Sequence, residues 1–129
     1  MANLNTLTTR PPSRRGWELE AASKTAAFLR REFGLSSDDA EAEQHDGVLT
    51  ICLPRALSPL GRVLARTPEG VEALEAVYAL LHEAHHAPLE ALVSRIAGRE
   101  AGQSRMELDC RTGGVRVSFC LPAQAEKED

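Results

Sequence analysis

The residues best suited to chemistry are His82-Glu83-Ala84-His85-His86, which fit the pattern H-E-x-x-H. On a helix, His82 and His86 share one face and are spaced to bind Zn²⁺, while Glu83 can act as general base on a metal-bound water. Pro88 follows two residues later, where a zinc-binding helix has to be regular. No third ligand stands at a recognised spacing, and by elimination the candidates are Glu100, Glu107, Asp109, His45 and Cys52. The pattern therefore supports two interpretations, a small zinc hydrolase and a histidine-rich helix flank without catalysis.

Other reactive side chains give weaker signals. His85 stands in an apolar stripe between Leu81 and Leu89, which predicts a histidine at the edge of the core or at an interface. The chain has three cysteines and no Cys-x-x-Cys, as expected for reduced thiols rather than a disulfide framework. Nothing near them in sequence supplies the base that a nucleophilic thiol needs, so we expect no thiol catalysis.

Length and composition limit the functional classes. The 129 residues suit one domain, and 43% hydrophobic with 26% charged residues indicates a globular chain. The formal charge of −4 argues against general nucleic-acid binding, which favours a basic surface. No apolar run approaches the ~20 residues of a membrane span. The polar first 16 residues predict no secretory signal.

The first half of the chain predicts a helix and a hairpin. Leu19, Ala22, Ala26, Leu29 and Phe33 recur at spacings of three and four, which predicts a helix over 17–33. Residues 40–45 and 48–54 flank Asp46-Gly47, a favoured type I′ turn. A two-residue loop would pair His45 with Val48 and Ala42 with Ile51, so that apolar side chains share one face.

The second half predicts two helices and another hairpin. Ser58-Pro59 and Thr67-Pro68 each place a capping hydroxyl before proline, which predicts helices over 59–65 and 68–97. Within the longer helix, Pro88 predicts a kink or a break near residues 84–88. Strands over 104–111 and 115–121 are predicted around Gly113-Gly114. A two-residue loop there would pair Cys110 with Val117 and Leu108 with Phe119, and either two-residue placement of the turn keeps these side chains on one face.

Together these elements predict an α+β fold. A four-stranded antiparallel sheet from two β-hairpins would carry an N-terminal helix, a short helix and a long kinked helix on one face. The outer face of the last hairpin would present Arg116 and Ser118. The predicted organisation is a disordered arm over 1–15, a single domain over 16–122 and an acidic tail over 123–129.

The order of several short motifs is similar to that of a known family. Residues 57–70 read Leu-Ser-Pro-Leu-Gly-Arg-Val-Leu-Ala-Arg-Thr-Pro-Glu-Gly, similar to a family opening Leu-Thr-Pro-Ala-Glu followed by Thr-x-Glu-Gly. Pro88-Leu89-Glu90 and Ile96-Ala97-Gly98-Arg99 match its Pro-x-Leu-Glu and Leu-Thr-Gly-Arg positions. Residues 117–121 resemble its closing strand. On these motifs, residues 25–121 resemble the MpsC-like domain family, small bacterial proteins associated with sodium-translocating, membrane-potential-generating systems.

The resemblance implies an accessory role. It supplies no catalytic residue or cofactor, and it associates the chain with ion-translocating or bicarbonate-uptake complexes that have an antiporter-like subunit. We therefore expect a non-enzymatic interaction protein, cytoplasmic or held peripherally at the inner membrane by its partner. Candidate contact residues are His82, His85, His86, Arg116 and Ser118. A homodimer through an exposed strand edge is a further expectation.

Overall fold

The computed structural model describes residues 12–36 and 39–122. These form seven elements in the order α1 (Pro12–Phe33), β1 (Glu41–His45), β2 (Val48–Leu53), α2 (Pro59–Leu64), α3 (Pro68–Ala97), β3 (Gly102–Asp109) and β4 (Gly114–Cys120). The predicted α+β class is confirmed. Of the predicted arm, residues 12–15 belong to α1. Residues 1–11 and the tail 123–129 lie outside the described residues.

The buried side of α1 differs from the predicted one. Ala22, Ala26, Leu29 and Phe33 are buried as predicted, but Leu19 is 63% exposed, so its placement in the core was wrong. The carboxylate of Glu18 is buried instead. In the amide orientation that satisfies both neighbours, Gln44 donates to Glu18 Oε2 at 3.2 Å and accepts from Arg99 at 2.8 Å. Glu18, which contacts Gln44 of β1, is thus buried in place of Leu19, although hydrophobicity alone predicts the reverse.

The first hairpin follows its sequence closely. His45 pairs with Val48 and Ala42 with Ile51, so the predicted register is confirmed. Asp46 and Gly47 have φ angles of 52° and 77°, the positive values that a type I′ turn requires. Leu49, Ile51 and Leu53 are buried along one face of β2.

Both predicted helix starts are confirmed. The Ser58 hydroxyl accepts from the Gly61 N–H at 3.2 Å, and the Thr67 hydroxyl accepts from the Gly70 N–H at 3.0 Å. Of the predicted kink or break near Pro88, the break is wrong, because α3 runs without interruption from Pro68 to Ala97, and the kink stays a prediction. Pro88 and Ala84 are both exposed, so the carbonyl that loses its backbone partner can be hydrated.

The second hairpin has the predicted faces and a different register. Leu108 pairs with Val115 and Met106 with Val117, so the predicted pairings of Leu108 with Phe119 and of Cys110 with Val117 were wrong. The connecting loop is longer than two residues, because Asp109 holds the longer loop with hydrogen bonds to it. Its carbonyl accepts from the Gly113 N–H at 2.7 Å and its side chain from the Arg111 N–H at 3.1 Å. The change in register is even, so the core-facing residues stay on the core side.

The two hairpins join into one antiparallel sheet with the order β1-β2-β4-β3. Helix α1 packs on β1, β2 and α3, while α3 packs on β3. The core between helices and sheet is mainly aliphatic, with Leu29, Leu49, Ile51 and Leu89 fully buried beside Phe119. No described helix has the length and apolar character needed to cross a membrane.

Candidate functional site

A network of four side chains joins α3 to the start of β3. Glu90 Oε2 accepts from the Ser104 backbone N–H at 3.0 Å and from its hydroxyl at 2.6 Å. Because that hydroxyl donates to the carboxylate, its oxygen is free to accept from His82 Nε2, 2.8 Å away. His86 Nδ1 lies 3.2 Å from the same Glu90 oxygen. Ser104 is buried, so this network fills the polar end of the α3–β3 interface.

Electrostatics within the network favour a charged glutamate and a neutral histidine. Burial raises the pKa of Glu90, but hydrogen bonds from Ser104 and His86 outweigh it and lower that pKa overall. Burial also lowers the pKa of His82, and the neighbouring His86 lowers it further, against the opposing effect of Glu90. A neutral His82 fits its role as a single donor to Ser104.

His85 lies on the other flank of α3, against α1. Its ring centroid is 6.3 Å from that of Phe28 and 5.7 Å from that of Phe33. Its Nδ1 lies 4.0 Å from Glu32 Oε1. His85 therefore packs between the two helices, as its position in the apolar stripe indicated.

The H-E-x-x-H residues are arranged for hydrogen bonding. The His82 and His86 rings have centroids 5.6 Å apart, but their contacting nitrogens face Ser104 and Glu90 respectively. Glu83 is exposed to solvent. Across residues 12–36 and 39–122, no three His, Cys, Asp or Glu side chains form a group that could hold a metal ion.

An open cleft of about 1070 Å³ runs along β3 beside the first half of α3. Tyr78 and His82 line it from α3, and Met106 and Leu108 line it from β3. Past Cys110 the cleft continues to Arg116, which lies on the outer face of the sheet. Met106, Leu108 and Cys110 are only half-buried, although they pack against the core. The cleft therefore combines an apolar floor with polar side chains at its rim, as binding sites generally do.

The predicted contact residues are divided among several surfaces. His82 and Arg116 both line the cleft, whereas His86 contacts Glu90, which lies outside the cleft lining. Ser118 lies on the outer face of the sheet, opposite Thr50 and Arg105 in the neighbouring strands. Arg116 is exposed, and its guanidinium lies 3.0 Å from Glu107 Oε1. His85 does not reach the cleft.

Sequence reasoning missed Glu90 and Ser104 as members of the site. The contact between His86 and Glu90 could have been predicted from the sequence, because residues four apart meet on a helix. Ser104 carried no such signal, since it is 22 residues from His82 and is buried only after β3 has docked.

Comparison with known proteins identifies a family. The model of the family described as "Na+-translocating membrane potential-generating system (MpsC)" matches residues 14–122. That range takes in nearly all of the helices and strands described above, including the cleft and the α3–β3 network. No curated protein and no solved structure matches the chain.

Proposed function

Because the chain belongs to the MpsC family, we propose that it is a non-enzymatic accessory or regulatory partner of a membrane ion-translocating complex. Membership implies involvement in a Na⁺-translocating, membrane-potential-generating system. The finer parts of the proposal are an antiporter-like membrane subunit as the partner, and ion translocation or bicarbonate uptake as the process of the complex. A cytoplasmic location, with peripheral attachment through that partner, belongs to the same proposal.

The family match over residues 14–122 carries this function. The cleft supports it, because an open groove with an apolar floor and a polar rim suits a docked segment of another protein. The role requires neither a catalytic residue nor a cofactor. His82, His86, Arg116 and Ser118 are the proposed contact residues, with His85 supporting α3 from its far side.

Co-purification tests the proposal. The full chain, tagged and expressed at its natural level, is purified from membranes in mild detergent, and co-eluting proteins are identified by mass spectrometry. We expect a multi-spanning ion-translocating subunit at a constant ratio to the chain. Recovery of the chain without such a subunit under all growth conditions would contradict the proposal.

A matched pair of variants locates the contact. Arg116→Gln removes an exposed guanidinium from the cleft rim, whereas Arg30→Gln removes one from α1, outside the cleft. We expect the recovery of the membrane subunit to change with Arg116→Gln and to stay the same with Arg30→Gln. A homodimer through the free sheet edge stays a prediction, which the elution volume of the purified chain tests.

A further inference from the structure

The edge of the sheet at β3 has free backbone groups beside the cleft. Within the described residues β3 pairs with β4 alone, so it is an edge strand of the sheet. In an antiparallel pair, alternate residues of an edge strand direct N–H and C=O away from the partner strand. These groups can hydrogen-bond to an additional extended strand.

The cleft gives such a strand an apolar surface to cover. Helix α3 is tied to the beginning of β3, where Ser94 Oγ accepts from the Ala101 N–H at 2.8 Å and Glu90 accepts from Ser104. Farther along β3, Met106 and Leu108 are only half-buried and line the cleft opposite Tyr78. Met106 and Leu108 are two residues apart, the spacing with which side chains of a strand repeat on one face.

The far end of the cleft is acidic. Glu75 on α3 and Asp109 on β3 line it, and both are exposed. Burial raises the pKa of the Cys110 thiol most, and the charges of these two carboxylates raise it further, so both act on the same thiol. Arg116 lies near this end but is paired with Glu107. A basic side chain entering here would meet two carboxylates.

We propose that the cleft binds an extended basic peptide segment of the membrane partner, which adds to β3 as a fifth strand. Alternate apolar side chains of the peptide cover Met106 and Leu108, and a lysine or arginine lies between Glu75 and Asp109. This mode of recognition takes affinity from main-chain hydrogen bonds and specificity from alternate side chains. It rests on the proposed function, since cytoplasmic loops of membrane proteins are rich in lysine and arginine.

Peptide selection tests this inference. The immobilised full chain is used to select from a phage-displayed library of random 12-residue peptides. We expect enriched peptides with apolar residues at alternate positions and at least one lysine or arginine. A labelled synthetic copy of the best peptide then gives a Kd by fluorescence anisotropy. No enrichment, or enrichment of acidic peptides, would overturn the inference.

Charge variants place the bound peptide. The double variant Glu75→Gln/Asp109→Asn keeps side-chain size, and asparagine keeps the acceptor for the Arg111 N–H. We expect it to weaken binding roughly twofold to thirtyfold, the range for two exposed ion pairs. The matched control Glu72→Gln/Glu43→Gln removes two exposed carboxylates that do not line the cleft, and its Kd should be unchanged. Equal Kd values for the two double variants would overturn the inference.

Peptide selection and co-purification together separate this inference from the proposed function. If no peptide is selected while the chain still co-purifies with an ion-translocating subunit, the cleft inference fails and the function stands. A chain that elutes as a dimer, and as a monomer in Glu75→Gln/Asp109→Asn, would show that a second copy fills the cleft and would also overturn it.

Discussion

Ser104 donates both its backbone N–H and its hydroxyl to one oxygen of Glu90, at 3.0 Å and 2.6 Å. This double contact joins α3 to β3 where the register of the sheet shifts, between Gly102 and Arg105. Gln103, within that irregularity, has a φ of 49°, which a non-glycine residue adopts at a cost. The Ser104–Glu90 pair therefore holds the bulge against the helix and sets where β3 enters the cleft.

Ser104→Ala should destabilise the protein. The variant removes a hydroxyl that hydrogen-bonds to a charged carboxylate and leaves His82 without its acceptor. Because such bonds contribute about 1.5–3 kcal/mol, we expect the free energy of unfolding to fall by about 1–3 kcal/mol in urea titrations at pH 7. Ser118→Ala, on the outer face of the same sheet, should change it by less than about 0.5 kcal/mol. Equal losses in the two variants would contradict the role assigned to Ser104.

Stability should fall on acidification through the titration of His82. Its pKa is lowered in the folded state, mainly by burial and then by His86, from an ordinary value of 6.5. Between the folded and unfolded pKa values the unfolded chain binds the extra proton, so the free energy of unfolding decreases as pH falls below about 6.5. The groups facing the ring are His86, Glu90 and Ser104.

Urea titrations at pH 7.5 and 5.5 measure this dependence. We expect the decrease between the two pH values to be smaller in His82→Gln than in the parent chain. His45→Gln serves as control, because His45 is exposed at the end of β1. If the parent chain and His82→Gln lose the same stability, His82 does not contribute to the pH dependence.

Local chemical signals explain what could be predicted of the fold. Asp46-Gly47 fits one turn type, and that turn fixes the register of β1 with β2. Ser58-Pro59 and Thr67-Pro68 satisfy helix N-termini within a few residues, so both starts were predicted to the residue. Such features require no knowledge of distant parts of the chain.

Tertiary contacts explain what could not be predicted. The Gly113 carbonyl accepts from the N–H groups of Ala56 and Leu57, at 2.7 Å and 3.1 Å, which docks the β3–β4 loop onto the segment after β2. Local sequence alone gave no reason to reject a two-residue loop at Gly113-Gly114. Likewise, the burial of Glu18 depends on Gln44, which lies on a different element.

The candidate site likewise has a part that local sequence predicts and a part that depends on tertiary contacts. His82 and His86 were predicted to share a helix face, and their rings do lie together. The sequence did not determine what the two histidines do, because that depends on the residues they contact. Ser104 satisfies His82, but it reaches that position only through the docking of β3 on α3, which no periodicity in the sequence encodes.

Gly70 allows α2 and α3 to approach closely, and its replacement should be costly. A Cβ at Gly70 would overlap the backbone carbonyl of Leu64, so the two helices would have to separate. We expect Gly70→Ala to lower the free energy of unfolding by about 1–3 kcal/mol or more, measured by urea denaturation. Gly16→Ala on α1 has open space around it and should be neutral or stabilise by up to about 1 kcal/mol. A neutral Gly70→Ala would contradict the packing described.

Zinc should not bind the full chain at one ion per molecule. Zinc bound at Nε2 of His82 would break the hydrogen bond between that nitrogen and Ser104. We expect protein prepared without a polyhistidine tag, in medium containing zinc, to hold well under one equivalent by elemental analysis. One equivalent that disappears in His86→Ala would instead favour the zinc hydrolase, with Glu83 as general base.

Pro88→Ala should stabilise α3. Proline inside a helix lacks an N–H and costs about 3 kcal/mol relative to alanine, yet α3 continues through this position. Pro88 is exposed, so a smaller side chain leaves no cavity, and alanine restores the bond to the Ala84 carbonyl. Because proline also restricts the unfolded chain, we expect a net gain of about 1–2 kcal/mol in the free energy of unfolding. A loss of stability in urea would mean that the packing of α3 on β3 depends on a bend at Pro88.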